Sequence, residues 1–419
     1  MTSRNLVLKF AAFSLILGLI APVFGQRSSQ PRQEKLLNGV KLLMWPDQSA
    51  DKVTLKVRIH SGTSFDPQGK EGVMALVADS FYPNDEISRE FFRQDLGGSL
   101  SVTANYDYIQ ISASAKPDEF LTLLESVSSA ISNPTIDKET TPKLVERRLA
   151  KLKELELDPA YLADKAASKQ LFGTFPYGRP ELGTSETVAK LTFADVLEAK
   201  QRFLGSDNAT VAISGKFDPN LAYRAARRYL GAWVKSDRLI PSTFRQPDAP
   251  DTKLVTVSTA VETAPHTRFA LRGVARSEKD FAASKVLETI LEARVKQNLT
   301  DASTVYVANE AHILPGSFVI GATSAGEVPE NLISLLLSMA ITGTEFEAAK
   351  AKTIANRTKW AVDELWLDAD TYKLTSVADE QKAFDTVTIA DVQRVAERLA
   401  KNPVVAVAVS KAEKAATSN

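Results

Sequence analysis

The segment Thr192–Val196, with the sequence TFADV, and the strand-like segment Ala209–Ile213 decide the fold, because both recur late in the chain. Thr388–Val392 reads TIADV and leads into the apolar run Pro403–Val409. A threonine followed three residues later by an acidic residue is a common helix N-cap signal, so either copy alone is weak evidence. The same order of cap, helix and buried strand at two places predicts a duplicated unit.

The chain length agrees with duplication. A chain of 419 residues exceeds one ordinary domain, since domains typically span about 100–200 residues. We predict an α+β fold of two homologous domains, each a mainly antiparallel sheet covered by helices. The first domain is placed at residues 35–235 and the second at residues 254–416. The stretch 236–253 contains three prolines and no periodicity, so it is the predicted linker.

Charge and cysteine content exclude several classes of protein. The 51 Lys and Arg residues balance the 51 Asp and Glu residues. No global field therefore attracts a polyanion, and we expect no nucleic acid partner. The chain has no cysteine, which excludes disulfides, thiolate zinc sites and a cysteine nucleophile.

The first residues have the pattern of a secretory signal peptide. Arg4 and Lys9 precede an uncharged apolar run, and Val23–Gly25 is an acceptable cleavage site before Gln26. We predict a signal peptide at residues 1–25 and a polar tether at residues 26–34. A single membrane anchor is the alternative, but the apolar core is shorter than the ~20 residues of a spanning helix. We expect export, with no stable membrane insertion after cleavage.

Two short elements lie near the start of the mature chain. Residues 52–60 (KVTLKVRIH) alternate between apolar and polar side chains, which predicts a half-buried strand with His60 on its polar face. Gly72–Asp79 (GVMALVAD) has apolar residues at helical spacing behind a turn-forming lead-in. This second pattern predicts a short buried helix.

Several motifs further along carry a family resemblance. The chain reads FPYGRP at Phe175–Pro180, then Gly-Thr at Gly183, Asn-Ala at Asn208 and LGAW at Leu230–Trp233. Their order and spacing resemble the pitrilysin/insulinase-like (M16) metallopeptidase family over nearly the whole mature chain, from Leu36 onward. With its signal peptide, the chain is similar to the short, bacterial, exported members, which act as dimers. The resemblance implies a periplasmic location.

The resemblance also implies where a zinc site would lie. In active members, the helix that corresponds to Gly72–Ser80 carries His-x-x-Glu-His, in which two histidines hold zinc and the glutamate is the general base. Aligned on Gly72, these positions are Ala75, Ala78 and Asp79. Neither alanine binds metal or takes a proton. We therefore predict no catalytic residues, no metal ligands and no bound zinc in this chain.

The third zinc ligand of the family is a glutamate on the following long helix. It would be Glu146, Glu154 or Glu156, and the sequence does not distinguish them. The chain has three histidines, His60, His266 and His312, and none is paired with another at helical spacing. We do not expect them to form a substitute metal site.

Active members also use an arginine and a tyrosine of the second domain to bind substrate. Tyr306 matches the tyrosine, whereas the arginine position falls at Leu299 or Thr300, so the pair is predicted to be broken. An aromatic residue of the sheet surface is the alternative interpretation of Tyr306. The strand that offers Asn-Ala to the substrate reads Ser101-Val102. Its edge is still predicted to bind unfolded peptide through the main chain, as an added strand.

These observations support three hypotheses. The first is a non-catalytic M16-like subunit that pairs with a relative carrying the zinc motif, or with itself, and helps to enclose a peptide-binding chamber. The second is a non-enzymatic binding or assembly protein, like the core subunits of respiratory complexes that share the fold. An export signal argues against this, because those subunits carry Arg-rich transit peptides. The third is an active zinc endopeptidase with unconventional ligands, which metal analysis would detect.

Overall fold

The computed structural model describes residues 30–237, 244–245, 247–326 and 328–411. The predicted signal peptide and part of the predicted tether and linker lie outside these residues. The first half contains β1 (Arg32–Lys35), β2 (Lys41–Pro46), β3 (Val53–Ile59), α1 (Val73–Asp79), α2 (Asp85–Gln94), β4 (Ser99–Ala104), β5 (Ile109–Ala115), α3 (Phe120–Ser132), α4 (Thr140–Leu155), α5 (Pro159–Phe172), α6 (Ser185–Val188), α7 (Phe193–Phe203), β6 (Ala209–Gly215) and α8 (Pro219–Leu230).

The second half follows the linker and has a similar order of elements. It contains β7 (Val255–Thr259), β8 (His266–Arg272), α9 (Phe281–Asn298), β9 (Ala302–Glu310), β10 (Ser317–Ser324), α10 (Leu332–Ser338), α11 (Gly343–Arg357), α12 (Val362–Thr371), α13 (Val377–Thr386), α14 (Ile389–Leu399) and β11 (Val405–Lys411).

The two sheets have the same topology. The first has the strand order β1-β2-β6-β3-β5-β4, and the second has the order β7-β11-β8-β10-β9. Apart from β1, each strand of the first sheet has a counterpart at the same place in the second. Each sheet contains one parallel pair, β2 with β6 and β7 with β11, and the other described pairs are antiparallel. The predicted α+β fold of two mainly antiparallel units is confirmed.

The recurring cap signals form matching helix starts. Thr192 accepts a hydrogen bond from the backbone N–H of Asp195, and the Asp195 carboxylate accepts one from the backbone N–H of Thr192. Thr388 and Asp391 make the same reciprocal box at the start of α14. Each box satisfies two backbone N–H groups that a helix start would leave without partners. The amphipathic faces of α7 and α14 then pack into the core of their own half.

Each half places one helix on the sheet of the other half. From the first half, α5 packs Ala163, Ala167 and Leu171 against Val405 and Val407 of the second sheet. In return, α12 packs on the first sheet, where its Leu367 meets Leu43, Trp45 and Ala212. Both sheets are therefore covered on two faces.

This exchange corrects the expectation that β3 is only half-buried. Arg58 on the polar face of this strand is only 1% exposed, and its guanidinium bonds to Glu364 at 2.5 Å and to Asp368 at 2.6 Å. Lys56 bonds to Asp363 of α12 at 2.9 Å. The polar side chains of β3 thus meet a complementary acidic helix rather than water.

The described residues of the predicted tether and linker bond to the first half of the chain. Residues 32–34 of the predicted tether belong to β1, which pairs antiparallel with β2 from Arg32 opposite Met44. Within the described part of the linker, the Gln170 side chain donates to the carbonyls of Asp251 and Lys253. Bonds to the main chain, whether from a neighbouring strand or from a side chain, leave no hydrophobic period in the sequence, so pattern alone does not reveal them.

Membrane-spanning character is weak among the described helices. No single helix of the described ranges has both the length and the apolar composition of a span. Among the described helices, one pair, α10 with α11, together has the length and apolar composition of a span, and its two helices are bent by 109° relative to each other.

Candidate functional site

The helix α1 is fixed at its start by the carboxylate of Asp66. Asp66 accepts hydrogen bonds from the backbone N–H of Gly72 at 2.6 Å and of Met74 at 2.9 Å. Gly72 has φ 97°, which favours glycine, and a Cβ there would lie 2.8 Å from the carbonyl oxygen of Leu182. These contacts fix the direction in which α1 leaves the loop.

Burial shifts the pKa of the Asp66 carboxyl group. The side chain lies in the interior, and burial raises its pKa to about 7, although the two backbone N–H groups act in the opposite direction. Arg179 from the FPYGRP motif donates to the Asp66 carbonyl at 2.7 Å. One of the motifs that carried the family resemblance therefore supports the loop before α1.

The three positions aligned with the zinc motif are called the vacated positions below. They lie where α1 faces α4. Ala75 is fully buried and Ala78 is 4% exposed. Asp79 forms an ion pair with Arg148 of α4, with 2.5 Å between Arg148 Nη2 and Asp79 Oδ2. The same Nη2 donates to the Ala75 carbonyl at 3.3 Å. Burial raises the pKa of Asp79, and Arg148 acts against this shift.

Arg148 is the residue at this site that the sequence prediction missed. The prediction compared three glutamates of this region and overlooked the arginine between them. A signal was present, because Arg148 is four residues after Leu144 and four before Leu152, both buried apolar residues. Residues four apart lie on one face of a helix, so Arg148 belongs to the buried face of α4.

The three candidate glutamates do not complete a metal site at α1. Glu146 and Glu154 are exposed, and Glu154 pairs with Lys151 at 3.1 Å. Glu156 is half-buried and accepts a hydrogen bond from Ser185 at 3.2 Å. Within the described ranges, no group of three His, Asp or Glu residues has a geometry that suits a metal ion. The residues at α1 thus do not fit zinc, since the one carboxylate present is held by a guanidinium.

The histidines lie apart and are held by other side chains. His60 is hydrogen-bonded to Thr210 and Thr371, each at 3.0 Å, and burial lowers its pKa to about 3. His266 is bonded to Thr263 and Thr323, and His312 is bonded to Asp107. Each ring therefore has a structural role, and the prediction that the histidines form no zinc site stays a prediction.

The predicted peptide-binding strand lies at a sheet edge. β4 ends the first sheet and pairs only with β5 among the described strands. Ser101 is exposed, whereas Val102 is half-buried and packs against the core. α1 contacts β4, so the vacated positions and the free edge belong to one region of the molecule. The counterpart of β4 at the edge of the second sheet is β9.

Tyr306 lies on β9 and is held by two residues that the sequence prediction did not consider. Its hydroxyl donates to Asp164 of α5 at 2.5 Å. Arg268 of β8 donates to the same oxygen at 2.5 Å, and its guanidinium lies 4.9 Å from the centre of the Tyr306 ring. Burial raises the pKa of Tyr306 well above its ordinary value. Its hydroxyl therefore stays protonated at neutral pH.

Strand pairing explains how this arginine reaches the tyrosine. Gly321 of β10 is the register partner of both Tyr306 and Arg268. A Cβ at Gly321 would lie 2.2 Å from the tyrosine ring. The ring therefore passes over Gly321, where any larger residue would clash with it. Leu299 is buried at the end of α9 and Thr300 is exposed. Tyr306 thus has an arginine neighbour, but from a strand rather than from the two predicted positions.

A cavity of about 1230 Å³ lies elsewhere, between the end of α5 and the linker. Its described lining includes no residue of α1 or α4. It adjoins Gln170, Phe175 and Phe203. The cavity is therefore separate from the vacated positions.

Comparisons with known proteins agree with this architecture. A family model described as the peptidase M16 inactive domain matches residues 190–352. A zinc protease of Rickettsia bellii (strain RML369-C), itself uncharacterized, is 19% identical over 210 residues, which cover 49% of this chain and 50% of that protein. The match thus spans about half the length of this curated relative.

Solved structures resemble the fold over most of the chain. A protease from Helicobacter pylori has a TM-score of 0.82 at 15% identity, covering 91% of this chain and 100% of its own. A peptidase M16 inactive domain from Pseudomonas fluorescens has a TM-score of 0.79 at 17% identity, covering 92% and 98%. A chain of complex III2 from Candida albicans has a TM-score of 0.74 at 17% identity, covering 90% and 95%. At such identities the likeness concerns the fold alone.

Proposed function

We propose that the chain is an M16-like protein that lacks the zinc motif, and that it acts as a non-catalytic subunit beside a relative that carries the motif. In this proposal, the two chains together enclose a chamber that binds unfolded peptide. The observation that carries the proposal is the ion pair between Asp79 and Arg148, which lies where a metal site would be needed.

The rest of the fold supports a role beyond catalysis. The halves contain sheets of six and five strands, and the FPYGRP motif supports the loop before α1. The edge of β4 offers main-chain groups to an extended peptide without any requirement for particular side chains. A subunit that has lost hydrolysis but retains this edge is suited to hold a peptide for a partner.

Reconstitution tests the proposal. The tagged full chain is purified from its native host, and we expect a stable complex with a chain that contains His-x-x-Glu-His. Peptide hydrolysis by that partner should rise when this chain is added. Isolation only as a free chain, or no effect on the partner's activity, would contradict the proposal. A homodimer without such a partner would also contradict it.

Metal analysis of the purified chain provides the second arm of this experiment. We expect no stoichiometric zinc and no chelator-sensitive peptide hydrolysis by the chain alone, because two of the three motif positions are alanines. Zinc-dependent hydrolysis by the isolated chain would instead support an active peptidase with unconventional ligands.

A second function is compatible with the same fold. The likeness to a chain of complex III2 suggests a binding or assembly subunit of a larger complex. Native electrophoresis of host extracts distinguishes the two functions. Migration in a large complex without a zinc-motif chain would favour assembly, whereas a complex of two M16 chains favours the first proposal.

We also propose that the chain is exported to the bacterial periplasm. The support is the charged start and apolar run of residues 1–25. Cell fractionation with sequencing of the mature N-terminus is the test, with Gln26 as the expected first residue. Recovery of the full-length chain in the cytoplasm would overturn this.

A further inference from the structure

The contact between α1 and α4 lies where the zinc motif would place a metal, but it is made by an arginine side chain. Arg148 Nη2 is bonded both to the Asp79 carboxylate and to the Ala75 carbonyl. These are the first and last of the three motif positions on α1. One cationic group thus joins both positions to α4.

The ion pair is partly buried. The Arg148 and Asp79 side chains are 12% and 24% exposed, respectively. A guanidinium is permanently protonated and has no lone pair for a metal. A divalent cation near Asp79 would meet a fixed positive charge within a few ångströms, in an environment that screens charge poorly.

The neighbouring arginine of α4 reinforces the contact. Arg147 donates to the Pro83 carbonyl, in the segment after α1, at 2.6 Å. Its charge also acts to lower the pKa of Asp79. Two consecutive arginines of α4 therefore hold the end of α1 and the segment that follows it. The positive charge sits at the C-terminal end of α1, which the helix dipole favours.

We propose that Arg148 is a built-in cation that takes the structural place of a metal at this site and excludes a metal from it. In this proposal, the guanidinium of Arg148 occupies the position that a metal would take. The chain would hold α1 against α4 without any bound ion, and motif residues placed on α1 would not bind zinc while Arg148 remained.

Zinc binding by two reconstructed variants tests the exclusion. The first carries A75H, A78E and D79H, and the second carries R148E in addition. We expect stoichiometric zinc, measured by elemental analysis and calorimetry, only for the second variant. Its added carboxylate provides a third ligand from α4, and the repelling charge is gone. Zinc binding of similar affinity by both variants, or by neither, would overturn the proposal.

A double-mutant cycle tests the structural role with smaller changes. D79N, R148M and the pair of substitutions are compared by thermal unfolding with and without chelator. We expect each single variant to lose stability, because it leaves a buried charge or polar group without its partner. The pair should lose less than the sum of the two. Additive losses, or a chelator effect on the unchanged protein, would contradict the proposal.

A matched control uses an exposed arginine. R93M removes the Arg93–Glu90 pair on α2, whose side chains are 70% and 42% exposed, and should leave unfolding nearly unchanged. None of these measurements involves a partner or a peptide. Failure of this inference is therefore distinguishable from failure of the proposed function.

Discussion

Asp66 shows how one buried residue links the sequence to the site. Its carboxylate holds the backbone of Gly72 and Met74 and so sets the start of α1. Burial raises the pKa of Asp66 to about 7 in the folded chain, whereas an aspartate in an unfolded chain has a pKa of about 3.9. The folded state thus binds this proton more tightly than the unfolded state does.

The sign of the resulting pH dependence follows from linkage. The contribution of Asp66 to stability is fully present below about pH 4 and is lost as the pH rises through 7. We expect D66N to remove this contribution. As the pH rises through this window, the unfolding free energy of the unchanged protein should therefore fall relative to that of D66N, by up to about 1.4 kcal/mol per pH unit. Chemical denaturation from pH 4 to 8 measures it. The exposed Asp51 provides the control variant D51N, and parallel profiles for D66N and the unchanged protein would refute the expectation.

Two roles are predicted for Tyr306, substrate binding and packing on the sheet. Its bond to Asp164 and its contact with Arg268 favour packing. We expect Y306F to cost about 1 kcal/mol of unfolding free energy, since one partly exposed hydrogen bond to a carboxylate is lost. Its affinity for unfolded peptide should stay the same. A large loss of affinity at unchanged stability would instead establish a substrate role.

Among the elements, β4 carries the predicted peptide site through its position at the sheet edge. Successive residues of a strand direct their N–H groups to opposite sides, so only one of Ser101 and Val102 offers its N–H outward. Proline removes this donor. We expect one of S101P and V102P to abolish peptide binding with little change in stability.

The other proline variant serves as the internal comparison. It should remove a hydrogen bond between β4 and β5 and lower the unfolding free energy by about 1 kcal/mol or more. S101A keeps every main-chain donor and should bind peptide normally. Fluorescence anisotropy with a labelled unfolded peptide reports affinity. Normal binding by both proline variants would exclude the β4 edge as the site.

At the scale of the whole molecule, the exchange of α5 and α12 binds the halves together. Arg58 depends on Glu364 and Asp368 of the other half. A second link joins the ends of the two edge hairpins, where His312 bonds to Asp107 at 2.8 Å. Burial acts to lower the pKa of His312, but the bond and charge of Asp107 outweigh it and raise that pKa.

This arrangement predicts that neither half is stable by itself. Residues 30–237 and 247–411, produced separately, should expose the sheet faces that α12 and α5 cover, and should bind a hydrophobic dye. Produced together, they should associate and unfold in a cooperative transition. Calorimetry and sedimentation check both statements. The prediction would be refuted if each half were monomeric, unfolded cooperatively by itself and did not associate with the other half.

The sequence alone determined the duplicated α+β fold and the loss of the zinc motif. The fold follows from local signals, because the cap at Thr192 and the strand after it recur at Thr388 in the same order. The loss follows from residue identity, because Ala75 and Ala78 lack ligand atoms whatever surrounds them. Such features depend on neighbours in the chain or on single side chains.

Only the tertiary structure decided what stands at the vacated site and beside Tyr306. Arg148 is 69 residues from Asp79, and Arg268 reaches Tyr306 across β10. The prediction that β3 is only half-buried was wrong for the same reason, since the helix α12 that covers its polar side chains comes from the other half of the chain. Contacts between distant segments depend on packing, and local hydrophobic periods do not record which segment provides the partner.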